Sequence, residues 1–387
     1  MKKLGILTHY ENSTNYGGSL QAYALCKAVE QFGWQAEQVR IDCFTDSRNL
    51  IKAPGDHGLA GKIKKLVKKP VKAAMLLVPS YRKARQQKAA THDRLLQVFD
   101  PFNKNRTPHS EKLYTAATVS QAHYDAFAVG SDQVWNPIWY FEPFFLTFTD
   151  KPKFSYAASI AQDQLPESVK ALYKTKLRDF IGVSVREENA KKLLDGVSPV
   201  PVQWVLDPTL LLSKEDWTAV AKAPQLEKYL FCYFLGDDIA PRQAAADYAK
   251  ARGLTLVNIP NATGLIHKND ENFGDIALPD PSPEEFLGLI GSADAVFTDS
   301  FHASVFSIIL NRQFFTFPRQ GFEAMSGRIY SLTQLFGLRD RFLDTPEKAA
   351  DLSNLPAVDY SREAPEFIQM KQRSLNYLEQ CLRQAEG

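Results

Sequence analysis

Residues 293–311, Ala-Asp-Ala-Val-Phe-Thr-Asp-Ser-Phe-His-Ala-Ser-Val-Phe-Ser-Ile-Ile-Leu-Asn, constrain this chain more than any other stretch. Ala295 to Thr298 is a short continuous apolar run of strand type, and from Ala303 apolar residues recur at helical spacing. Asp299, Ser300, Phe301 and His302 therefore fall at the turn between strand and helix. Open α/β sheets bind ligands at such turns, because the first N–H groups of the helix lack intrahelical partners and favour an anion. The turn brings the hydroxyls of Ser300 and Ser304 beside the imidazole of His302, which exchanges protons near neutral pH. Phosphate chemistry is the expectation. A plainer use also exists: Asp299 and Ser300 as helix caps and His302 as a hydrogen-bonded, half-buried side chain.

The same alternation recurs along the chain. Lys3 to Thr8 reads as a first strand, His9 to Gly18 as a loop, and Ser19 to Phe32 as a helix stopped by Gly33, with apolar positions at Leu20, Tyr23, Ala24, Ala28 and Val29. Val39 to Asp42 is the next expected strand, completing a βαβ unit whose right-handed crossover makes the sheet parallel. Asn15-Tyr-Gly-Gly is neither a dinucleotide nor a P-loop fingerprint, since the glycine spacing differs and no Lys-Ser or Lys-Thr follows. Tyr124 to Val129 predicts a strand that delivers Gly130, Ser131, Asp132 and Gln133 to the same rim as the Asn15 loop. Phe154 to Ile160, with Ser159 at its end, predicts another, and Val183 to Glu187 one that ends in Arg186, followed by a helix over 188–194.

Pro199, Pro201, Pro208 and Pro224 punctuate a span that reads as a linker, in which Asp207 before Pro208 is turn chemistry rather than catalysis. Strands at Tyr229–Leu235, Leu254–Ile259 and Phe314–Phe317 follow, with helices over 241–252 and 282–292, where Ser282 and Glu285 form a capping box. A long amphipathic helix over 363–384 closes the chain. At 387 residues the chain suits about two domains. The expected architecture is α/β, two Rossmann-like lobes with a cleft between them: 1–205, then 206–360, then a C-terminal helix over 361–387 packing back on the first lobe.

Composition narrows the setting. Four cysteines, Cys26, Cys43, Cys232 and Cys381, lie far apart without metal-ligand spacing, so free thiols in a reducing compartment and no metal site are expected. The apolar run after Lys2 and Lys3 is too short for a signal peptide, and no stretch is long enough to span a bilayer, so a cytoplasmic protein is expected. The net charge is only +2, yet 11 Lys or Arg against one acid, Asp56, lie between Lys52 and Lys88, within a basic helical insertion over 52–100. Lysines interleaved with aliphatics suit peripheral contact with an anionic membrane, or merely a solvated helix face. Aromatics are nearly absent from the run, which disfavours nucleic acid.

Five blocks taken together resemble the polysaccharide pyruvyl transferase family: Asn15-Tyr-Gly-Gly-Ser-Leu-Gln-Ala-Tyr-Ala-Leu, Val129-Gly-Ser-Asp-Gln-Val-Trp-Asn, Ser184-Val-Arg-Glu, Val205-Leu-Asp-Pro-Thr-Leu-Leu and Thr298-Asp-Ser-Phe-His-Ala-Ser-Val-Phe-Ser. The resemblance implies a fold similar to the two-lobed glycosyltransferase-B architecture, with the donor mainly on the second lobe. It implies transfer of pyruvate from phosphoenolpyruvate to two hydroxyls of a glycan, expected to be lipid-linked, to form a cyclic ketal. His302 matches the family's histidine and Arg186 its Ser-x-Arg arginine. Ser300 stands where the better-studied branch has an arginine, and Arg319 or Arg328 supplies a further cation, Arg328 being the favoured one.

That chemistry needs an acid, a base and cations but no metal or redox cofactor, since protonating the methylene carbon prepares its neighbour for attack by a hydroxyl. His302 is the expected acid or donor to the leaving phosphate, Arg186 the clamp on carboxylate or phosphate, and Asp132 the base. Asn15, Gln21, Gln133 and Asn136 are expected to orient sugar hydroxyls, with Tyr16, Gly17, Gly18, Ser131, Ser159, Ser300, Ser304, Arg319 and Arg328 completing the substrate surface. Trp135 and Trp139 suit stacking on a sugar, although core packing is the commoner use. Two other functions fit the same plan: a nucleotide-sugar glycosyltransferase, and a noncatalytic glycan-assembly protein that has lost its donor site.

Overall fold

Two parallel sheets, each flanked by helices, face each other across a cleft in the computed structural model, which describes residues 1–43, 45–51, 79–260, 267–319, 323–345, 352, 355–361 and 364–387. The first lobe runs β1 (Lys3–Leu7), α1 (Tyr16–Glu30), β2 (Gln35–Gln38), α2 (Pro79–Asn105), β3 (Ala126–Val129), β4 (Lys153–Ser155), α3 (Glu167–Lys176), β5 (Val183–Val185), α4 (Glu188–Leu194) and β6 (Val202–Trp204). The order β2-β1-β3-β4 is parallel throughout, and parallel bridges Phe154 to Gly182 and Ala158 to Val185 continue it into the pair β5-β6. Parallel pairing puts the loops after β1, β3, β4 and β5 on one rim.

The second lobe runs α5 (Lys214–Val220), β7 (Tyr229–Tyr233), α6 (Ile239–Arg252), β8 (Thr255–Ile259), β9 (Ile276–Ala277), α7 (Pro283–Ser292), β10 (Ala295–Thr298), α8 (Phe301–Ile309), β11 (Gln313–Thr316) and α9 (Glu323–Leu335), and the chain ends with α10 (Pro365–Gln384). Its sheet order, β11-β10-β7-β8-β9, is again parallel. Strand β10 occupies the four residues that the apolar run predicts, and the Ser282–Glu285 capping box starts α7. Both strands flanking β10 are parallel partners, so it is buried on both faces and needs no polar alternation.

Apolar packing crosses between the lobes. The Tyr16 ring stacks on Phe286 with centroids 4.1 Å apart, and its hydroxyl donates to the Pro281 carbonyl at 2.7 Å. Helix α10 returns to the first lobe: Tyr377 donates to the Ser155 carbonyl at 2.8 Å, and Ser374 Oγ accepts the Leu206 N–H at 2.9 Å.

Several boundaries differ from the sequence reading. Helix α1 begins at Tyr16 rather than Ser19, because Asn15 Oδ1 accepts the Gly18 N–H at 3.0 Å and caps it there, which places Gly17 and Gly18 in the first turn. The second strand is Gln35–Gln38, not 39–42: it is polar, yet Gln38 is buried with its amide donating to the Ala22 carbonyl at 2.9 Å. Strand β4 stops at Ser155 rather than reaching Ile160, since Ala157 and Ala161 both adopt φ of +52° and break the ladder. The proline-punctuated span is no exposed tether: Val205 to Leu212 are all buried. Of the basic stretch 52–88, residues 52–78 lie outside the described residues. Among the described residues, no helix is long and apolar enough to cross a membrane.

Candidate active site

The cleft between the rims encloses about 700 Å³ of space open to solvent. Asn15, Tyr16, Gly17, Asp132 and Gln133 line it from the first lobe, and Ser300, Phe301, His302, Arg319 and Arg328 from the second. Two helix starts, those of α1 and α8, thus face one another across it.

One carboxylate, buried behind the cleft, organises the charges beside it. Asp207 Oδ1 accepts the Thr209 N–H at 3.0 Å and its hydroxyl at 2.6 Å, which fixes the turn. Asp207 Oδ2 accepts Arg186 Nη1 at 2.8 Å and lies 3.5 Å from His302 Nε2, an ion-pair separation rather than a hydrogen bond. Burial pushes the Asp207 carboxyl up, but His302 and Arg186 outweigh it and hold it well below the usual carboxylate range. A guanidinium from the first lobe and an imidazole from the second therefore share one oxygen. The other face of the imidazole meets α1: a methyl built on Gly17 lies 1.9 Å from His302 Nδ1. Only glycine lets α1 approach so closely.

Arg186 carries more charge around it than one guanidinium neutralises. Its Nε is 3.3 Å from Glu187 Oε1 and its Nη2 is 3.7 Å from Asp132 Oδ1, while the Phe301 ring covers it with 5.1 Å between Cζ and centroid. Burial disfavours its charge, yet Glu187, Asp207 and Asp132 together raise its pKa above the ordinary arginine value. Asp132 is pushed up by burial, but Arg186, His9, His302 and Arg328 bring it below the usual range. His9, half-buried beside Cys43 and the Gln133 carbonyl, is lowered chiefly by desolvation.

Arg328 projects from α9 into the same cluster. Burial and the neighbouring Arg186 push its guanidinium down to about 10. Its nearest carboxylate contact is long, 3.9 Å from Nη1 to Glu187 Oε1. Among the described residues, Arg186 Nη2, Arg328 Nε, Glu187 Oε2 and His302 Nε2 are all buried without a hydrogen-bond partner. Buried polar groups are seldom left so, and four in one cluster mark a place built to meet something else. Arg319, by contrast, is anchored by Asp299, to Oδ2 and the carbonyl at 3.2 Å each, while Asp299 also accepts the Leu235 and Gly236 N–H groups at 2.7 Å.

The structure brings His302, Arg186, Asp132, Arg319 and Arg328 together and gives most of the expected hydroxyl-orienting residues other work. Gln21 is fully buried, bonded to Thr8, the Gly18 carbonyl and the Ser131 N–H. Gln133 and Asn136 bond each other at 2.9 Å, and Asn136 also accepts the Ile138 N–H. Ser131 donates to the Ala157 carbonyl and Ser159 to Glu187 Oε1 at 2.6 Å, both buried. Ser300 caps α8 through the Ala303 N–H at 3.4 Å, and Ser304 is buried on the Ser300 carbonyl and Thr316. Gly18 packs on Ser13, Tyr16 belongs to the core, and Trp135 is core while Trp139 is exposed. These hydroxyls and amides are consumed by the backbone that they stabilise. Asp207 corrects the linker reading, and Glu187 joins the site through Arg186, Arg328 and Ser159. Both stand inside sequence blocks already singled out, Glu187 directly after Arg186 and Asp207 in Val205-Leu-Asp-Pro-Thr-Leu-Leu, and membership of those blocks is the signal that marks them.

The model of the polysaccharide pyruvyl transferase family matches residues 15–321. Curated proteins provide no sequence match. Among solved structures, the UDP-GlcNAc 2-epimerase of Methanocaldococcus jannaschii superposes with a TM-score of 0.50 at 12% identity, covering 97% of this chain and 99% of that one. An O-GlcNAc transferase mutant of Thermobaculum terrenum matches at 13% identity and a TM-score of 0.44, over 99% of this chain and 64% of its own. At 12% identity the likeness to the epimerase concerns the fold alone, two Rossmann-like lobes.

Proposed function

From the premise that this chain belongs to the polysaccharide pyruvyl transferase family, we propose that it moves the enolpyruvyl group of phosphoenolpyruvate onto two hydroxyls of a glycan sugar, forming a cyclic pyruvate ketal during polysaccharide or cell-wall glycan synthesis. The observation that carries this reading is the shared oxygen of Asp207, 2.8 Å from Arg186 of one lobe and 3.5 Å from His302 of the other. It ties an arginine of the first lobe to a histidine of the second, with His302 lining the cleft and Arg186 and Asp207 buried behind it.

The roles follow from charge and reach. Phosphate and carboxylate of the donor need roughly two or three cations or helix-end donors, and Arg186, Arg328 and Arg319 provide them beside the starts of α1 and α8. His302 lines the cleft with Nε2 3.5 Å from Asp207 and Nδ1 packed on Gly17 of α1, and its imidazole is the group that hands a proton to the donor's methylene carbon. Asp207 supports the imidazolium and fixes the ring, as a carboxylate behind a catalytic histidine does elsewhere. Asp132, ionised at neutral pH, takes the proton of the attacking hydroxyl.

The step balances without an outside reagent. Two hydroxyls lose two protons and form two C–O bonds to the central carbon; one proton ends on the methyl carbon, and the other leaves with phosphate as the C–O–P link breaks at carbon. Incubation with phosphoenolpyruvate and lipid-linked acceptors should release inorganic phosphate together with a ketal. A melting-temperature rise with a nucleoside diphosphate but none with phosphoenolpyruvate would instead favour nucleotide-sugar transfer.

A lipid-linked acceptor places the enzyme at a membrane face, and the basic stretch 52–88 supplies the attraction. Binding to anionic vesicles should weaken with salt and when Lys64, Lys65, Lys68 and Lys69 are neutralised. Unchanged binding discards that part.

A further inference from the structure

Strand β7 delivers Tyr233 to the cleft, which it lines together with Leu235, Phe286 and Ile329. Its ring is held edge-on between Tyr16, with centroids 5.7 Å apart, and Phe286, with centroids 5.2 Å apart. Two tyrosines thus meet at the seam between the lobes, and their hydroxyls are treated differently. Tyr16 is 3% exposed and donates to the Pro281 carbonyl at 2.7 Å. Tyr233 is 6% exposed, yet among the described residues its hydroxyl has no hydrogen-bond partner. The unmet hydroxyl of Tyr156 is sealed in the core, whereas the Tyr233 oxygen keeps accessible surface and meets the cleft. A buried phenol ordinarily finds its partner inside the protein. This one opens on the cavity.

The surroundings say what kind of atom it meets. Leu235, Phe286 and Ile329 bring apolar side chains to this wall, and the Asp299 carboxylate beside them is engaged by the Leu235 and Gly236 N–H groups and by Arg319 Nε. The polar side chains that the wall turns to a ligand are therefore donors, the Tyr233 hydroxyl and the Arg319 guanidinium. Arg186 and Arg328 gather elsewhere, around Glu187. Burial and Asp299 push the Tyr233 phenol up, more than Arg319 brings it down, so it keeps its proton and can donate throughout the neutral range. A neutral donor beside a guanidinium, on an otherwise apolar surface, suits a carboxylate carried on a small planar carbon frame.

We propose that the Tyr233 hydroxyl contacts the substrate, donating a hydrogen bond to the carboxylate of the enolpyruvyl donor, and that this contact is how the cleft distinguishes that donor from phosphate esters without a carboxylate. The inference rests on the transfer reading above and deepens it, by placing the carboxylate end of the donor against the second-lobe wall of Tyr233 and Arg319. Rings packed on both sides of the phenol fix it before the ligand arrives, so little ordering is needed on binding.

Tyr233→Phe removes one oxygen and keeps the ring against Tyr16 and Phe286. Calorimetric titration of the full chain with phosphoenolpyruvate and with vinyl phosphate, which has the phosphate and the methylene but no carboxylate, separates the contact from the rest of the site. The substitution should weaken phosphoenolpyruvate by about tenfold or more, the scale of a hydrogen bond to a charged group, and leave vinyl phosphate within about twofold. In steady-state transfer the KM for phosphoenolpyruvate should rise while the KM for the glycan holds. The melting temperature without ligand should not fall, since the hydroxyl has no partner to lose. Unchanged affinity for phosphoenolpyruvate, equal weakening of both ligands, a rise confined to the glycan KM or a lowered melting temperature each overturns the assignment. Where wild type and Tyr233→Phe bind and turn over phosphoenolpyruvate alike, the inference fails and the transfer reading stands; where the wild type neither binds nor turns it over, both fail.

Discussion

Two buried arginines of the second lobe have opposite surroundings. Arg242 is held by Asp270, at 3.0 Å to Nε and 2.5 Å to Nη2, by the Asp238 carbonyl at 2.8 Å and by the Gly236 carbonyl at 3.0 Å, between the rings of Phe234 and Phe273. Every branch of that fork has a partner, and the loops after β7 and β8 are tied together by it. Arg328, equally buried, reaches a carboxylate only at 3.9 Å, leaves Nε unmet among the described residues and faces the like charge of Arg186. A guanidinium that serves the fold is completed by the fold. One that serves a ligand is left incomplete, at a cost in stability until the ligand arrives.

The contrast breaks most plainly at Arg242. Arg242→Ala leaves the Asp270 carboxylate buried without its partner and should cost about 3–5 kcal/mol in denaturant unfolding. The fraction still folded should keep its affinity for phosphoenolpyruvate. His302→Ala should do the reverse, lowering transfer by roughly 10²–10⁴-fold with little change in melting temperature. Transfer above a tenth of wild type at every pH removes the proton-carrying role. Arg328→Met sharpens the comparison further. Replacing an unhappy buried charge with an apolar chain of similar length should raise stability by about 1–4 kcal/mol while abolishing the melting-temperature rise with phosphoenolpyruvate. A destabilised Arg328→Met protein would mean that this arginine, like Arg242, serves the fold. Gly17→Ala comes next: its helical backbone accepts alanine, so stability changes little, but the added methyl at 1.9 Å must displace the imidazole and lower kcat more than it raises KM.

The sequence made the second lobe more legible than the first. Strands β7 and β10 are apolar runs buried along their length, β8 and β11 keep apolar, buried centres, and the capping box of α7 is local chemistry that tertiary structure did not override. Strand β2, Gln-Ala-Glu-Gln, offers no such run; its place is set by pairing with β1 and by a glutamine whose amide is met by α1. At the site, residues of unmistakable type were readable: an imidazole at a strand-to-helix turn, an arginine at a strand end. Polar neutral residues were not, because Asn15, Gln21, Ser159 and Ser304 spend their hydrogen bonds on nearby backbone and side chains, which a pattern of letters does not show. Asp207 was read as turn chemistry, and it does hold its turn through Thr209. Its second oxygen faces partners 21 residues away at Arg186 and, farther along the chain, at His302, and long-range contacts leave no local signature.

The smallest expected effect is on the acid limb of stability, and it too separates the two regions. Asp207 and Asp132 have folded-state pKa values below the ordinary carboxylate value of about 3.9 that they regain on unfolding. A depressed folded pKa contributes stability that is complete above the unfolded value and is lost as pH falls through the folded one. These two groups should therefore leave stability flat from neutrality to about pH 5 and make it fall below about pH 4. In Asp207→Asn the acid slope should be shallower, since an amide takes up no proton, while stability at neutral pH drops because Arg186 and His302 lose their shared counter-charge. Urea midpoints between neutral pH and about pH 3 measure both. An acid slope unchanged in Asp207→Asn would mean that the carboxylate is not held ionised by the two cations, and the shared-oxygen geometry would lose its electrostatic meaning.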